Sequence, residues 1–405
     1  MSRRRLFGSL CSIVLLVNLA RVVFAPLLEP IGTAFDASAT GVGLLATLAW
    51  LGSAMPRLPT GYLLTRLPRH AVILAAGTML TLSPLLAATA PSLPVLWASA
   101  FLMGLSSGMY FIAAKPLLSD LFPTRIGTAV GVHGTASQLA AAGAPLFVTA
   151  VLLVGEWRTA FMLMSGAAAA ATLAFFLIAR SSSVPDGEAE SRNFLGAVRR
   201  QWKLVFGAIA LAGFADLAWN GVFNFYVSYL ISEKPVTEGT ARMLLSVVFA
   251  AGVPAFTLAG RLADRLPYVP LVLAIITAFA ASLLGLTVAT TTVQLVAVSV
   301  ALGLAIHSIF PAMDTYVLDS LPDAHRASAY AVFSAGIITL SALGSVVVGA
   351  LLDAGFAYTA IFRGFGLTTL GFVVVFAGIQ FTVGFPTGRH SADAEQPEAR
   401  NSTTD

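Results

Sequence analysis

Arg57 lies in the run Trp50-Leu51-Gly52-Ser53-Ala54-Met55-Pro56-Arg57-Leu58-Pro59, nine positions before the next arginine, Arg66. On a helix that spacing puts the guanidinium roughly 13 Å from the charged end of its segment. A cation at that depth needs an anionic partner, either a bound anion or a carboxylate of the chain such as Asp216. Arg21 lies about 22 Å along its own apolar run, counted from Leu6, and either faces a cavity or reaches toward the far interface. Asp216, Asn220 and Asn224 recur at four-residue intervals, which on a helix is one face. Asp216 falls roughly 18 Å into its segment. A carboxyl there is costly to ionise, so it either carries a proton or pairs with Arg21 or Arg57.

His133 stands beside Ser137 and Gln138, and His307 precedes Asp314 on one helical face. Each histidine is either a proton or substrate contact or a hydrogen-bonded packing residue. Tyr226, with Trp50, Tyr110, Trp219 and Phe223, either lines a cavity or packs helices. Lys115 and Asp314 either form a gate pair or extend to an interface. The chemistry these types offer is recognition of an anion by Arg57 and Arg21, with His133, Gln138, Asn220, Asn224 and Tyr226 around it and Asp216 and Asp314 as proton carriers. Covalent catalysis has little support. Gly104-Leu105-Ser106-Ser107-Gly108 fits a nucleophile-elbow pattern but falls inside a helical run with no strand before it, where small residues at four-residue spacing serve close helix packing. No Gly-Lys pair and no H-E-x-x-H run occurs, which excludes a phosphate-binding loop and that zinc motif; no cofactor and no metal is expected.

The elements that must position these groups are dictated by composition. The chain has 405 residues, 57% hydrophobic and 10% charged, and a mean hydropathy of +0.86. Such a chain carries too few charges to cover a water-soluble domain of its size. Apolar stretches near 6–28, 41–64, 71–90, 94–119, 127–154, 159–180, 203–231, 241–263, 269–289, 293–318, 326–352 and 357–384 each approach or exceed the roughly 20 residues a helix needs to cross a bilayer. They are continuous rather than alternating, so they predict helices and not barrel strands. The expected fold is an all-α membrane protein of twelve transmembrane helices.

Loop charge gives the orientation. Arg3 to Arg5, Arg66, Arg69, Arg125, Arg180, Arg192, Arg199, Arg200, Lys203, Arg261, Arg265, Arg326, Arg389 and Arg400 fall on one side, against Arg158, Lys234 and Arg242 on the other. Excess Lys and Arg marks the cytoplasmic side, so both termini are expected there, in the cell membrane. The net charge of +4 records this bias, and no nucleic-acid partner is expected. The single cysteine, Cys11, offers no disulfide framework. Arg3 to Arg5 before an apolar run resemble a signal peptide, but the length of that run and the polar Asn18 and Arg21 within it predict retention.

A shift of 199 residues pairs Phe7-Gly8 with Phe206-Gly207, Gly61 with Gly260, Arg66-Leu67-Pro68 with Arg265-Leu266-Pro267, Gly104 with Gly303, Phe111 with Phe310, Asp120 with Asp319 and Pro123 with Pro322. A two-residue slip then pairs Arg125 with Arg326, Leu139 with Leu340 and Gly143 with Gly344. Glycine, arginine, proline and aspartate matching at one offset predict two parallel six-helix halves. The expected domains are 1–180 and 203–385, joined by a cytoplasmic linker at 181–202 and followed by a disordered tail at 386–405.

Gly61-Tyr62-Leu63-Leu64-Thr65-Arg66-Leu67-Pro68-Arg69-His70 and its partner Gly260-Arg261-Leu262-Ala263-Asp264-Arg265-Leu266-Pro267 resemble the G-x-L-a-D-r-x-G-r-k loop of the major facilitator superfamily. The resemblance covers the whole chain and implies a secondary transporter in which this loop is a conformational latch built on Gly61, Arg66, Gly260, Asp264 and Arg265. The first copy has Thr65 where the family has an acid, and Pro68 and Pro267 replace the second glycine. The run around Arg57, with Phe122-Pro123 and Gly127 to Gln138, looks like the nitrate/nitrite porter and organic-anion branches, in which the second-helix arginine binds the anion. Phe256, the partner of Arg57, stands where those branches carry a second arginine, and Gln138 stands where they carry asparagine. A carboxylate or other organic anion therefore fits better than nitrate. The expectation is a monomeric, proton-coupled transporter of a small organic or inorganic anion working by alternating access in a lipid bilayer. The alternatives are proton-driven efflux of hydrophobic or cationic compounds, supported by Gly134, Gly143, Ala144 and Pro145 as a partial antiporter motif, and a non-transporting membrane sensor.

Overall fold

Within hydrocarbon every backbone polar group must be satisfied inside the segment, so apolar runs of this length coil. The computed structural model describes residues 2–64, 66–122, 125–180, 194–263 and 265–385, and every regular element among them is an α-helix. In chain order these are α1 (Ser2–Val22), α2 (Phe24–Phe35), α3 (Ala39–Ala54), α4 (Arg57–Leu63), α5 (Arg69–Ala88), α6 (Leu93–Leu121), α7 (Ile126–Val154), α8 (Trp157–Arg180), α9 (Phe194–Glu233), α10 (Glu238–Ala263), α11 (Tyr268–Val288), α12 (Thr292–Ser320), α13 (Asp323–Asp353) and α14 (Tyr358–Thr382). Among the described residues twelve spans are long and apolar enough to cross a membrane.

The helices outnumber the spans because two early spans are broken. Pro26 cannot donate to the Val22 carbonyl, and α1 ends there. Pro56 likewise leaves the Gly52 carbonyl without its helical donor, dividing α3 from α4. The break exposes the Ser53 carbonyl to the Arg57 Nε at 3.3 Å. Residues 194–202, expected in the linker, open α9, which bends at Gln201. Residues 181–193 and 386–405 lie outside the described residues.

Small residues set the helix contacts. A Cβ at Gly104 would run into the Ala49 carbonyl oxygen, and one at Gly303 into that of Val248. These pairs are related by the same 199-residue register, so the α3–α6 crossing is repeated as α10–α12. The two halves meet where α3 packs on α13, α7 on α10 and α2 on α9.

Candidate substrate site between the halves

Arg21 occupies the last turn of α1, just before the break. It is 8% exposed. Its Nη2 donates to Asn18 Oδ1 at 2.5 Å, and Asn18 Nδ2 donates to the Ser137 carbonyl at 2.7 Å, fixing α1 to α7. The guanidinium lies 4.8 Å from the ring centroid of Trp50 on α3 and 5.1 Å from that of Phe111 on α6. Two ring faces soften the burial of a cation without neutralising it. Among the described residues no carboxylate comes within ion-pair distance, the Arg21 Nε has no hydrogen-bond partner, and neither does the Trp50 Nε1. Another cation, Arg57, lies within electrostatic reach of Arg21.

Arg57, at the first turn of α4, reaches across to the other half, where its Nη1 donates to Ser334 Oγ at 2.8 Å on α13. Asp314 on α12 and Tyr330 on α13 lie within electrostatic reach of it, and the Tyr330 hydroxyl donates to Asp314 Oδ1 at 2.8 Å. Lys115 feels both Asp314 and Arg57 without forming an ion pair to Asp314. Arg57 and Lys115 thus share one carboxylate at the junction, and among the described residues Arg21 has none in ion-pair range.

The alternative pairing of Asp216 with an arginine is not formed. Asp216 is buried in the second half beside α13, where Ser341 bonds to it through both its backbone carbonyl, at 3.2 Å, and its side chain. Asn220 and Asn224 share its face of α9, as the spacing predicts, and both bond to Ser345 on α13. Tyr226 is fully buried with its hydroxyl 2.5 Å from Ser299 Oγ on α12. These three side chains tie α9 to its neighbours within one half. His133 is buried with Nε2 2.9 Å from the Tyr110 hydroxyl, which itself donates to the Leu10 carbonyl. Gln138 is half-buried on α7, one residue beyond the carbonyl that holds Asn18.

The second half presents rings where the first presents charge. Trp50 meets Phe223 edge-on at 6.1 Å across the junction. From there Phe223 contacts Phe249 at 5.7 Å, Phe249 contacts His307 at 5.7 Å, and His307 contacts Phe256 at 6.3 Å. Phe249 is the register partner of Trp50, and Phe256 of Arg57.

The nucleophile-elbow pattern is a packing surface. A Cβ at Gly108 would meet the Ser53 carbonyl and Pro56, and Ser106 bonds back to Met103 within α6. In the latch loops, Gly61 is buried and Arg66 stacks on Tyr62, while Gly260 has open space at its Cβ and Arg265 is exposed. Asp264 lies outside the described residues. The loops bind acids that the latch pattern did not identify: Arg69 pairs with Asp120, and Tyr268, its register partner, donates to Asp319 at 3.0 Å. The matching of Asp120 with Asp319 in the repeat was the available signal.

On the face opposite the chain ends the halves are closed. The Asp353 carboxylate, ending α13, accepts from the backbone N–H groups of Ala39 and Thr40 at 3.0 and 2.9 Å, capping the N-terminus of α3 from the other half. The Val346 N–H donates to Thr47 Oγ1 at 3.1 Å, and a Cβ at Gly349 would strike the Ala39 carbonyl. A cleft of about 460 Å³ on this face, lined by Glu29, Glu156, Arg158 and Glu238 among others, involves neither Arg21 nor Arg57.

Comparison with known proteins gives a consistent setting for this geometry. The profile of the Major Facilitator Superfamily matches residues 10–233 and 209–402. A chloramphenicol efflux pump of Mycobacterium tuberculosis (strain ATCC 25618 / H37Rv) is 26% identical over 231 residues, 56% of this chain and 55% of that protein. The chain therefore matches about half the length of that relative. Among solved structures, a bacterial homolog of the human lysosomal transporter Spinster in an inward-facing, occupied conformation has a TM-score of 0.75 at 18% identity, covering 94% of this chain and 96% of that one. A D-xylose–proton symporter has a TM-score of 0.77 at 14% identity, covering 95% and 98%. At these identities the likeness is one of fold.

Proposed function

The chain belongs to the Major Facilitator Superfamily and is a multi-pass membrane transporter, and from that premise we propose that it carries a small anion by proton-coupled alternating access. The observation that carries this reading is Arg21, a buried cation with no carboxylate in ion-pair range among the described residues and an unused Nε donor. A charge kept in a membrane interior at such cost is kept for a ligand or a pathway. Arg57 is the second anchor, and its bond to Ser334 makes it the element that reports closure between the halves. Asn220, Asn224 and Tyr226 then serve the rigidity of the second half, while His133 is held by Tyr110 and Gln138 lies beside the α7 carbonyl that holds Asn18. With both termini cytoplasmic, the closed face is the outer one.

The test is uptake of labelled organic anions into proteoliposomes. Arg57→Ala removes charge-assisted bonds worth about 1.5–3 kcal/mol, so affinity for the anion falls roughly 10- to 100-fold. Wild-type rate and affinity in that variant would remove Arg57 from the site. Asp314, held between Arg57, Lys115 and Tyr330, is the favoured proton carrier because an arriving anion changes its electrostatic surroundings. Asp314→Asn is expected to abolish stimulation by an imposed pH gradient while anion exchange continues. Retained stimulation would move the role to Asp216.

Efflux of hydrophobic compounds is the second reading, favoured by the M. tuberculosis chloramphenicol efflux pump. Chloramphenicol as a substrate in the same liposomes, with no response to the Arg57 substitution, would select it.

A further inference from the structure

Resting on the anion reading, we infer that the transported anion carries an aromatic ring: its charged group is held by Arg21 and Arg57 on the first half and its ring lies against the Phe223–Phe249–Phe256 wall of the second. The charged and apolar walls are contiguous. Trp50 is the joint, with one face under the Arg21 guanidinium at 4.8 Å and an edge against Phe223 at 6.1 Å. The chain of rings leads on to Phe256, which is 37% exposed and occupies in its half the register position that Arg57 occupies in the other. An aliphatic group would gain the same area burial here. A flat ring gains in addition the edge-to-face and offset contacts that the wall's own rings make with one another, equivalent to about a two- to tenfold preference.

Gene duplication places equivalent positions on facing walls, and here the first wall has Arg57 and Arg21 where the second has Phe256 and Asn220. A small inorganic anion would be served by charge on both walls. Charge on one and rings on the other fits a ligand with a charged end and an apolar, flat end.

Benzoate and cyclohexanecarboxylate are both anionic at neutral pH and nearly equal in size and hydrophobicity, so their ratio isolates the ring. Dissociation constants for these two, and for neutral benzamide, are measured by calorimetry on the purified full chain in detergent. The expected result is benzoate binding about two- to tenfold more tightly than cyclohexanecarboxylate, with Phe256→Leu narrowing that ratio. Equal affinity for the two acids overturns the ring assignment and leaves the anion reading standing. Benzamide binding as tightly as benzoate, unaffected by Arg21→Gln, overturns the anion reading instead, and binding of none of the three overturns both. The comparison between ligands on the unsubstituted protein needs no variant to fold.

Discussion

Arg21→Met is expected to abolish anion uptake, lowering affinity roughly 150- to 5,000-fold, while leaving stability within about 1 kcal/mol of the parent. Truncating one member of a buried charged contact costs about 3–5 kcal/mol because the other charge is left unpaired, and here the other charge is the substrate's. Stability is set by opposing terms. An arginine inside a bilayer costs about 3 kcal/mol. Against this, its ring contacts to Trp50 and Phe111 contribute about 0.5–1 kcal/mol each and its bond to Asn18 about 1.5 kcal/mol. These nearly cancel, and methionine fills a similar volume. Thermal unfolding with and without the anion, run beside the uptake assay, separates the cases. A purely structural arginine would show a large fall in unfolding temperature and a proportionate loss of activity. A functional one shows an unchanged temperature and no stabilisation by the anion.

Gly349→Leu is expected to lower net transport by about 100-fold or more with anion binding preserved. Gly349 lets α13 lie against the Ala39 carbonyl of α3, next to the point where Asp353 caps the α3 N-terminus. A leucine there meets backbone, which cannot step aside as a side chain can. Overpacking typically costs about 1–3 kcal/mol and more against a rigid neighbour. A penalty near 5.5 kcal/mol moves an equilibrium from 99:1 to 1:99, so the closed arrangement of this face becomes rare and the cycle stalls. Thiol labelling at a cysteine placed at Thr47, in a chain with Cys11→Ser, reads the shift: Thr47 is 2% exposed in the closed face and its replacement becomes reactive when that face stays open. A Gly349→Leu protein that transports at the parental rate would show that this contact takes no part in the cycle.

The spans, their helical type and the duplicated register were legible in the residues because hydrocarbon enforces them. Length, continuity and glycine spacing leave a helix few alternatives, and the same register that pairs Gly104 with Gly303 in sequence pairs their contacts to Ala49 and Val248 in space. The site was legible only as a set of buried ionisable residues. Which of them meet depends on rotation of each helix about its axis, and spacing along one helix does not report that. The four-residue interval of Asp216, Asn220 and Asn224 gave their common face, but not that this face is turned to Ser341 and Ser345 within the second half. Arg57 and Ser334 are far apart in the chain and nothing local links them. The aromatic flanks of Arg21 come from two further helices, so its status as the uncompensated cation emerges only from packing. Asp120 and Asp319 show the reverse case, since the repeat marked them before the structure gave them Arg69 and Tyr268 as partners.

On the proposed function, the two arginines at the junction are there for a negative charge on the substrate. Uptake of radiolabelled benzoate and of neutral benzamide into liposomes bearing the purified protein, each corrected for leakage into empty liposomes, tests it directly. Saturable, protein-dependent accumulation of benzoate, lost in Arg21→Gln, is the expected result, with none of benzamide. Saturable uptake of benzamide that Arg21→Gln leaves intact, with none of benzoate, would contradict it.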